Sequence, residues 1–363
     1  MKKILFATTA LVATAGAASA EIALTGSAEI GILGGGMYGD VTQFHTDIDV
    51  TFTMTGEADN GLTFGAKVDL DENGAFGNTT QGGETYFVAY GGARLDMGDV
   101  DGAFDAAMTE VNVAAGSIDD SETAHWGFNG NAGLDGSYDG QIATFSYTAS
   151  GFSGYLSTEI DDAGVFDPVW GLGFKYSGDL GGTALTVGIG YQSGDQAAAN
   201  ASAALGFAAA LAYVPAPGES AGVTLNNTVA AYETASALLT GSGPLRSEVM
   251  GVSVKADMAN GLSFALNYSE AKYADIAPLD ETESHWGIGL GYTQNALAIG
   301  VNYGEYDDRY GIDGLQDKGY GLAVAYDLGG GLAAQLGYGH SELSSGGVSF
   351  DTDSYSLGLA MSF

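Results

Sequence analysis

The chain has 363 residues, with 59 Gly, no Cys, and 45 acidic residues against 10 basic ones. That surplus of negative charge excludes nucleic acid as a partner on sign alone, and the lack of Cys excludes disulfides. Charged residues make up only 15% of the chain, against about 25% in a typical soluble domain.

MKKILFATTALVATAGAASA comes first. Lys2 and Lys3 precede a short apolar run that ends in Ala18-Ser19-Ala20. This is the pattern of a secretory signal peptide cleaved after residue 20. Cleavage leaves residues 21–363, in which 8 basic residues face 45 acidic ones for a net charge of −37. No later stretch offers the ~20 consecutive apolar residues that a membrane helix needs.

From Glu21 onward a period of two, the signature of strands, runs along the chain. EIALTGSAEIGI (21–32) puts Ile22, Leu24, Ala28, Ile30 and Ile32 on one face. GGGMYG (34–39) has the letters of a nucleotide-binding glycine motif, but no helix follows it, so it reads as a loop. FHTDIDVTFTM sets Phe44, Ile48, Val50, Phe52 and Met54 against His45, Asp47, Asp49, Thr51 and Thr53. Beyond the Asn60-Gly61 turn, LTFGAKVDL repeats the alternation, with Lys67 and Asp69 on its polar face. DLDENGAFGNTT (69–80) starts with the spacing of a calcium loop at Asp69, Asp71, Asn73 and Gly74. Thr80 stands where that loop needs a bidentate Glu, and no helices flank it.

The longest connection, about 99–139, follows RLDMGDV. It carries Asp99, Asp101, Asp105, Glu110, Asp119, Asp120 and Glu122, and neither Lys nor Arg. Further strands follow, among them LSFALNY (262–268), WGIGLGY (286–292), LAIGVNY (297–303), YGLAVAY (320–326) and LAAQLGY (332–338). The weakest pair is 203–213 with 223–233, Ala-rich and joined across Pro215 and Pro217. The count is 18 strands with that pair and 16 without it. SYSLGLAMSF closes the chain, with Tyr355, Leu357, Leu359, Met361 and Phe363 on one side.

Two further signals fix the fold class. Tyr147, Tyr176, Tyr191, Tyr213, Tyr268, Tyr292, Tyr303, Tyr326 and Tyr338 lie near strand ends, where an aromatic girdle meets the membrane–water boundary. Short turns such as Gly181-Gly182, Asn260-Gly261, Gln294-Asn295 and Gly329–Gly331 alternate with long, acidic, Gly-rich loops. The loops fall at about 33–43, 71–83, 99–139, 193–202, 234–247, 271–284, 305–318 and 340–352. The expectation is an all-β transmembrane antiparallel barrel of 16 to 18 strands, apolar toward lipid and polar toward a wet lumen. Pairing of the first strand with the last removes the free edge.

The chain resembles the general diffusion porins of Gram-negative outer membranes, especially those of alphaproteobacteria. The resemblance covers residues 21–363. It rests on EIALTGSAEIGI after the signal, FTMTGEADNGLTFGAKVDL, GGARLDMGDVDGAFD, YDLGGGLAAQLGY and the terminal Phe363. It implies a homotrimer, mostly of 16-stranded barrels, set among outer-membrane lipid and lipopolysaccharide. It also implies passive flow of small hydrophilic solutes and a third long loop folded into the lumen. The terminal aromatic, here Phe363, would be read by the barrel-assembly machinery.

In such a protein the mechanism is pore radius and the charge at the narrowest point. The resemblance makes the loop at 99–139 one wall of the constriction and asks for a basic wall opposite. Strand phase puts Lys67, Arg94, Lys175 and Lys255 on the lumen side. Lys67 and Arg94, on strands next to the loop, are the candidates for that wall. With so few cations the field leans negative, and cation preference is expected. Asp119, Asp120 and Glu122, and separately Asp307 and Asp308, are weak candidates for a divalent cation such as calcium. His45, His125, His285 and His340 are widely spread and lack metal-ligand spacing. No catalytic set is singled out, so an enzyme on a similar barrel is disfavoured. A solute-selective channel and a non-conducting structural or adhesive barrel stay open.

Overall fold

The computed structural model describes residues 21–72, 79–196, 245–273 and 281–363. Sixteen strands close into one antiparallel barrel, each paired with its neighbours in sequence and the first with the last. They are β1 (Glu21–Gly34), β2 (Gln43–Glu57), β3 (Thr63–Glu72), β4 (Thr79–Tyr90), β5 (Ala93–Gly98), β6 (Ile142–Ala149), β7 (Phe152–Glu159) and β8 (Val169–Asp179). There follow β9 (Thr183–Gln196), β10 (Leu245–Met258), β11 (Leu262–Lys272), β12 (Glu283–Gln294), β13 (Leu297–Asp307), β14 (Gln316–Gly329), β15 (Leu332–Ser345) and β16 (Val348–Ser362). The one α-helix among the described residues, α1 (Ala103–Ala107), is a single turn. No helix of these residues is long and apolar enough to cross a membrane.

Among the described residues the strand count is sixteen. β9 and β10 pair directly with each other from Thr183↔Met258 to Gln196↔Leu245, so the wall is continuous at the place where the extra pair was expected. Residues 203–213 and 223–233, together with Tyr213, lie outside the described residues. A second departure concerns the loop expected at 340–352. β15 and β16 run on to a two-residue turn at Gly346-Gly347, where φ is 58° and 84°. Both positions need the left-handed region that glycine enters without penalty, and this turn matches the twist of the flanking strands. A Gly-rich stretch there made a hairpin tip rather than a loop.

The alternation sorts side chains as expected. Outward positions expose apolar groups, among them Leu24, Val88, Leu95, Leu172, Ile189, Leu290 and Leu357. An exposed apolar band of this extent marks a surface that meets lipid or another protein. Around β11–β16 one aromatic row crosses six strands. It joins Tyr268 to Trp286, Tyr303 to Tyr320 and Tyr338 to Tyr355 by direct pairing. Trp286 and Tyr303 stand 5.1 Å apart between their ring centroids, and Tyr320 and Tyr338 6.4 Å.

Wall height varies around the barrel. β14, β15 and β16 have 14, 14 and 15 residues, whereas β5 has 6 and β6 and β7 have 8 each. The packed core is not between sheets. It lies inside the barrel, where residues 99–141 fold inward against the wall. Phe104, Met108 and Leu134 of this segment pack with Val169, Val249 and Ala271 of the strands. Val111 and Val113 pack with Ala265.

Candidate functional site

The inward segment lies on a track of glycines. A Cβ built at Gly173 would overlap the Ala103 carbonyl oxygen, and one at Gly188 that of Ala107. At Gly289 the obstacle is Val111 O, and at Gly304 it is Gly127 O. The strands from β8 to β15 thus offer bare backbone, and the segment's own backbone settles onto it. Hydrogen bonds fix its path. Ala103 N–H donates to Ser157 Oγ at 2.8 Å, Thr109 N–H to Ser253 Oγ at 2.9 Å, and the Asn302 side chain to Thr123 O at 2.7 Å. Ile118 reaches β1 and β16, where its Cδ1 lies against Gly31 and Gly358. The segment therefore clings to the barrel from β7 round to β1 and leaves the inner face of β2–β5 uncovered.

Carboxylates line both sides of the space that remains. On the strand side, Asp47, Asp49 and Asp71 each bring an oxygen within 4.8 Å of the other two, among the described residues. Glu29 lies within electrostatic reach of Asp119 and Asp120 on the loop. Asp69 accepts a hydrogen bond from Thr51 Oγ1 and pairs across the ladder with Thr51. Asp69 and Asp71 are strand residues, so the first half of the calcium-like motif is extended wall rather than loop. His45 Nε2 stands 3.7 Å from Glu29 Oε2.

The loop candidates divide into two groups. Asp101, Asp105 and Glu110 share a cavity of about 320 Å³ with Thr109, Asn112, Lys175 and Lys255. Burial, then repulsion from Asp101, Asp135 and Glu110, pushes Asp105 up to about 7, with Lys175 pulling the other way. Burial and repulsion from Asp101 and Asp120 also raise Glu110. Asp135 rises to about 6 through burial, although it accepts the Gly102 N–H at 2.7 Å. The second group is spent on the loop's own turns and on Tyr38 of the connection between β1 and β2. Asp119 accepts from Tyr38 Oη and Ser121 Oγ, Asp120 from Ser117 N–H, and the buried Glu122 from Ser117 Oγ. Asp99 is exposed at the loop's start, where its N–H donates to Glu84 O.

The basic candidates do not sit together. Arg94 is at the short-turn end, over the Phe87 ring at 4.0 Å and paired with Asp96 at 2.6 Å. It lines a cavity of about 720 Å³ with Glu21, Glu57 and Asp59. Lys67 is exposed between Thr53 and Thr85 in the ladder. Neither lines the cavity that holds Asp101, Asp105 and Glu110; Lys175 and Lys255 do. Asp307 and Asp308 accept from the Gln316 amide and the Gly314 N–H. Burial lowers His125 to about 4, so it is neutral at pH 7, while Asn302 pulls the other way. His285 contacts Gly127 O at 3.0 Å, and His340 Nδ1 stands 2.8 Å from Asp353. Phe363 closes the seam, its N–H donating to Gly26 O at 2.8 Å.

Lys175 and Lys255, assigned to the lumen side by strand phase, line one cavity with Asp101, Asp105 and Glu110. Gly173, Gly188 and Gly289, which decide where the loop lies, were not read as functional at all. Their signal was available in the regular Gly spacing of segments such as WGIGLGY.

Comparison with known proteins bears on this arrangement. The sequence model of the Gram-negative porins matches residues 7–346. A porin of Rhodobacter capsulatus is 26% identical over 336 residues, covering 89% of this chain and 95% of that protein. A porin of Fuscovulum blasticum is 28% identical over 142 residues, 36% of this chain, and the match spans about half, 49%, of that relative's length. A refined porin structure superposes with a TM-score of 0.62 at 20% identity, over 94% of this chain and 100% of that one. At that identity the likeness is one of fold.

Proposed function

This chain belongs to the Gram-negative porin family, and from that premise we propose that it is an outer-membrane channel for passive diffusion of small hydrophilic solutes, with a preference for cations. The observation that carries this reading is a loop folded into a closed barrel with carboxylates on both facing sides. Asp101 and Glu110 stand on the loop, and Asp47, Asp49 and Asp71 on the strands. A water-filled constriction lined this way concentrates cations and repels anions. Planar-bilayer recordings in a KCl gradient test it. The expected reversal potential has the sign of cation selectivity; the opposite sign rejects the preference, and absence of conductance rejects the channel.

Export through cleavage after Ala20 and assembly as a homotrimer belong to the same proposal. Low walls support the trimer. Six residues of β5 rise about 20 Å along the strand, already short of the ~25 Å apolar band of a membrane barrel, and tilt shortens it further. The outer faces there nonetheless carry Tyr86, Tyr90, Leu95, Met97 and Phe145. Neighbouring barrels would cover what lipid cannot. Mass spectrometry of the purified protein checks the start at Glu21, and cross-linking in mild detergent checks the trimer.

A further inference from the structure

The outer face of β8–β11 carries a groove of about 440 Å³. The ladder explains its shape. Phe174, Ile189, Val252 and Tyr268 form one outward row across the four strands. Leu172, Tyr191, Met250 and Glu270 form the next row toward the long connections. Ile189, Val252 and Met250 are aliphatic, so the centre lies low between Phe174 on one side and Tyr268 on the other. Its floor is the pair Gly190 and Gly251, backed from inside the barrel by Phe104. The end toward the long connections is charged. Glu270 is the one charged residue of the lining, and Tyr268 Oη donates to one of its oxygens at 2.7 Å. One row further out, Glu248 stands directly opposite Lys272, level with Trp170 on β8. No ion pair within 4 Å joins Glu248, Glu270 or Lys272 to another described residue.

We infer that this groove is a site for a phospholipid whose headgroup carries an ammonium beside its phosphate. One acyl chain lies along Ile189, Val252 and Met250. The phosphate faces Lys272, and the ammonium faces Glu270 and Glu248. This rests on the membrane-spanning reading of the barrel and not on conduction. Wall height favours lipid here over a second barrel. β8–β11 have 11, 14, 14 and 11 residues. At about 3.3 Å per residue they cover the ~25 Å apolar band even when tilted, as the low walls of β5–β7 do not. Charge then selects the headgroup. Two carboxylates against one lysine repel a headgroup that bears phosphate alone, and a purely cationic one leaves Lys272 unanswered. A zwitterionic headgroup answers both signs. Its N–H groups suit the carboxylate oxygens, and lysine meets a phosphate as a point charge. The apolar groove supplies the affinity and the charged row the preference.

Quenching of Trp fluorescence by brominated lipids tests this with the full-length mature protein in dioleoylphosphatidylcholine vesicles. A Trp286→Phe background leaves Trp170 as the reporter beside the charged row, since Trp126 belongs to the inward segment. The probes are phosphatidylethanolamine and phosphatidylglycerol brominated at the same chain positions. Phosphatidylethanolamine should bind about two- to fourfold more tightly, the ratio that one or two solvent-screened charge contacts support. Glu248→Gln with Glu270→Gln should bring that ratio to one. Asp351→Asn with Asp353→Asn, an equal change of charge on β16, should leave it unchanged. Val252→Phe should weaken both lipids by filling the groove. Equal binding of the two lipids to the protein with Glu248 and Glu270 intact overturns the site. So does a preference that survives the Glu248 and Glu270 substitutions, or one that the β16 substitutions remove equally. Absence of quenching by either lipid also overturns it, because another chain then covers this face. KCl conductance in the same vesicles separates the two readings. A protein that conducts without the preference keeps the channel and loses the lipid site. One that shows the preference without conducting keeps the lipid site and loses the channel.

Discussion

The inner faces of β8–β15 and of β2–β5 obey the same alternation but are filled with different residues. The first carries glycines such as Gly173, Gly188, Gly289 and Gly304, covered by the inward segment. The second carries His45, Asp47, Asp49, Lys67, Asp69 and Arg94 and stays open. The contrast shows how one chain makes a barrel both packed and hollow. Where side chains are absent, a second layer of backbone lies on the sheet and buries Phe104 to 1% exposure. Where side chains are charged, burial would strand them without water, so no layer forms.

Substitutions that treat the two faces alike can break this comparison. The largest effect is expected from Phe104→Ala. Removing a fully buried aromatic costs roughly 3–5 kcal/mol, read as a lower thermal unfolding temperature in detergent. Phe87→Ala on the open face should cost much less, and equal losses would contradict the idea that the core lies under the loop. Next comes Gly289→Val, which drives a side chain into Val111 O. Overpacking of this kind costs about 1–3 kcal/mol and should also shift single-channel conductance as the loop moves off the wall. Thr53→Val on the open face should stay within about 0.5 kcal/mol with conductance unchanged.

A smaller effect sharpens the contrast through pH. Asp105 has its pKa raised from 3.8 to about 7 in the folded protein. The native state therefore holds a proton that the unfolded chain has lost across that interval. Stability from this group is fully present below about pH 4 and declines as pH rises toward 7. Asp105→Asn should flatten that part of the stability-versus-pH curve; an unchanged slope would assign the burial penalty elsewhere. The smallest effect is expected at Arg94→Ala. The Arg94–Asp96 pair is exposed, and such pairs contribute less than about 1 kcal/mol, so unfolding should move by a degree or two at most.

Much of the barrel could be read in advance because the alternation in segments such as FHTDIDVTFTM has only one physical solution at that length. The seam was equally plain, since Ile30, Ile32, Leu357 and Leu359 share one phase. Gly346-Gly347 misled because Gly-rich composition is common to loops and tight hairpins, and only the backbone distinguishes them. The extra strand pair was expected on an Ala-rich alternation at 203–233, which lies outside the described residues. Strand phase assigns a side of the wall to Lys67, Arg94, Lys175 and Lys255. It could not give their partners, which depend on a loop path set by contacts between residues more than a hundred positions apart, such as Thr109 with Ser253.

The bond between Phe363 and Gly26 joins positions 337 apart in the chain. Until β16 arrives, β1 and β15 each present a full row of unpaired amides and carbonyls, and no shorter ring can shelter them in the meantime. Biogenesis is therefore a race in which a nearly finished sheet is most vulnerable just before its final zip-up. A companion that holds those two rims apart from other chains would serve this protein better than one that merely keeps it unfolded.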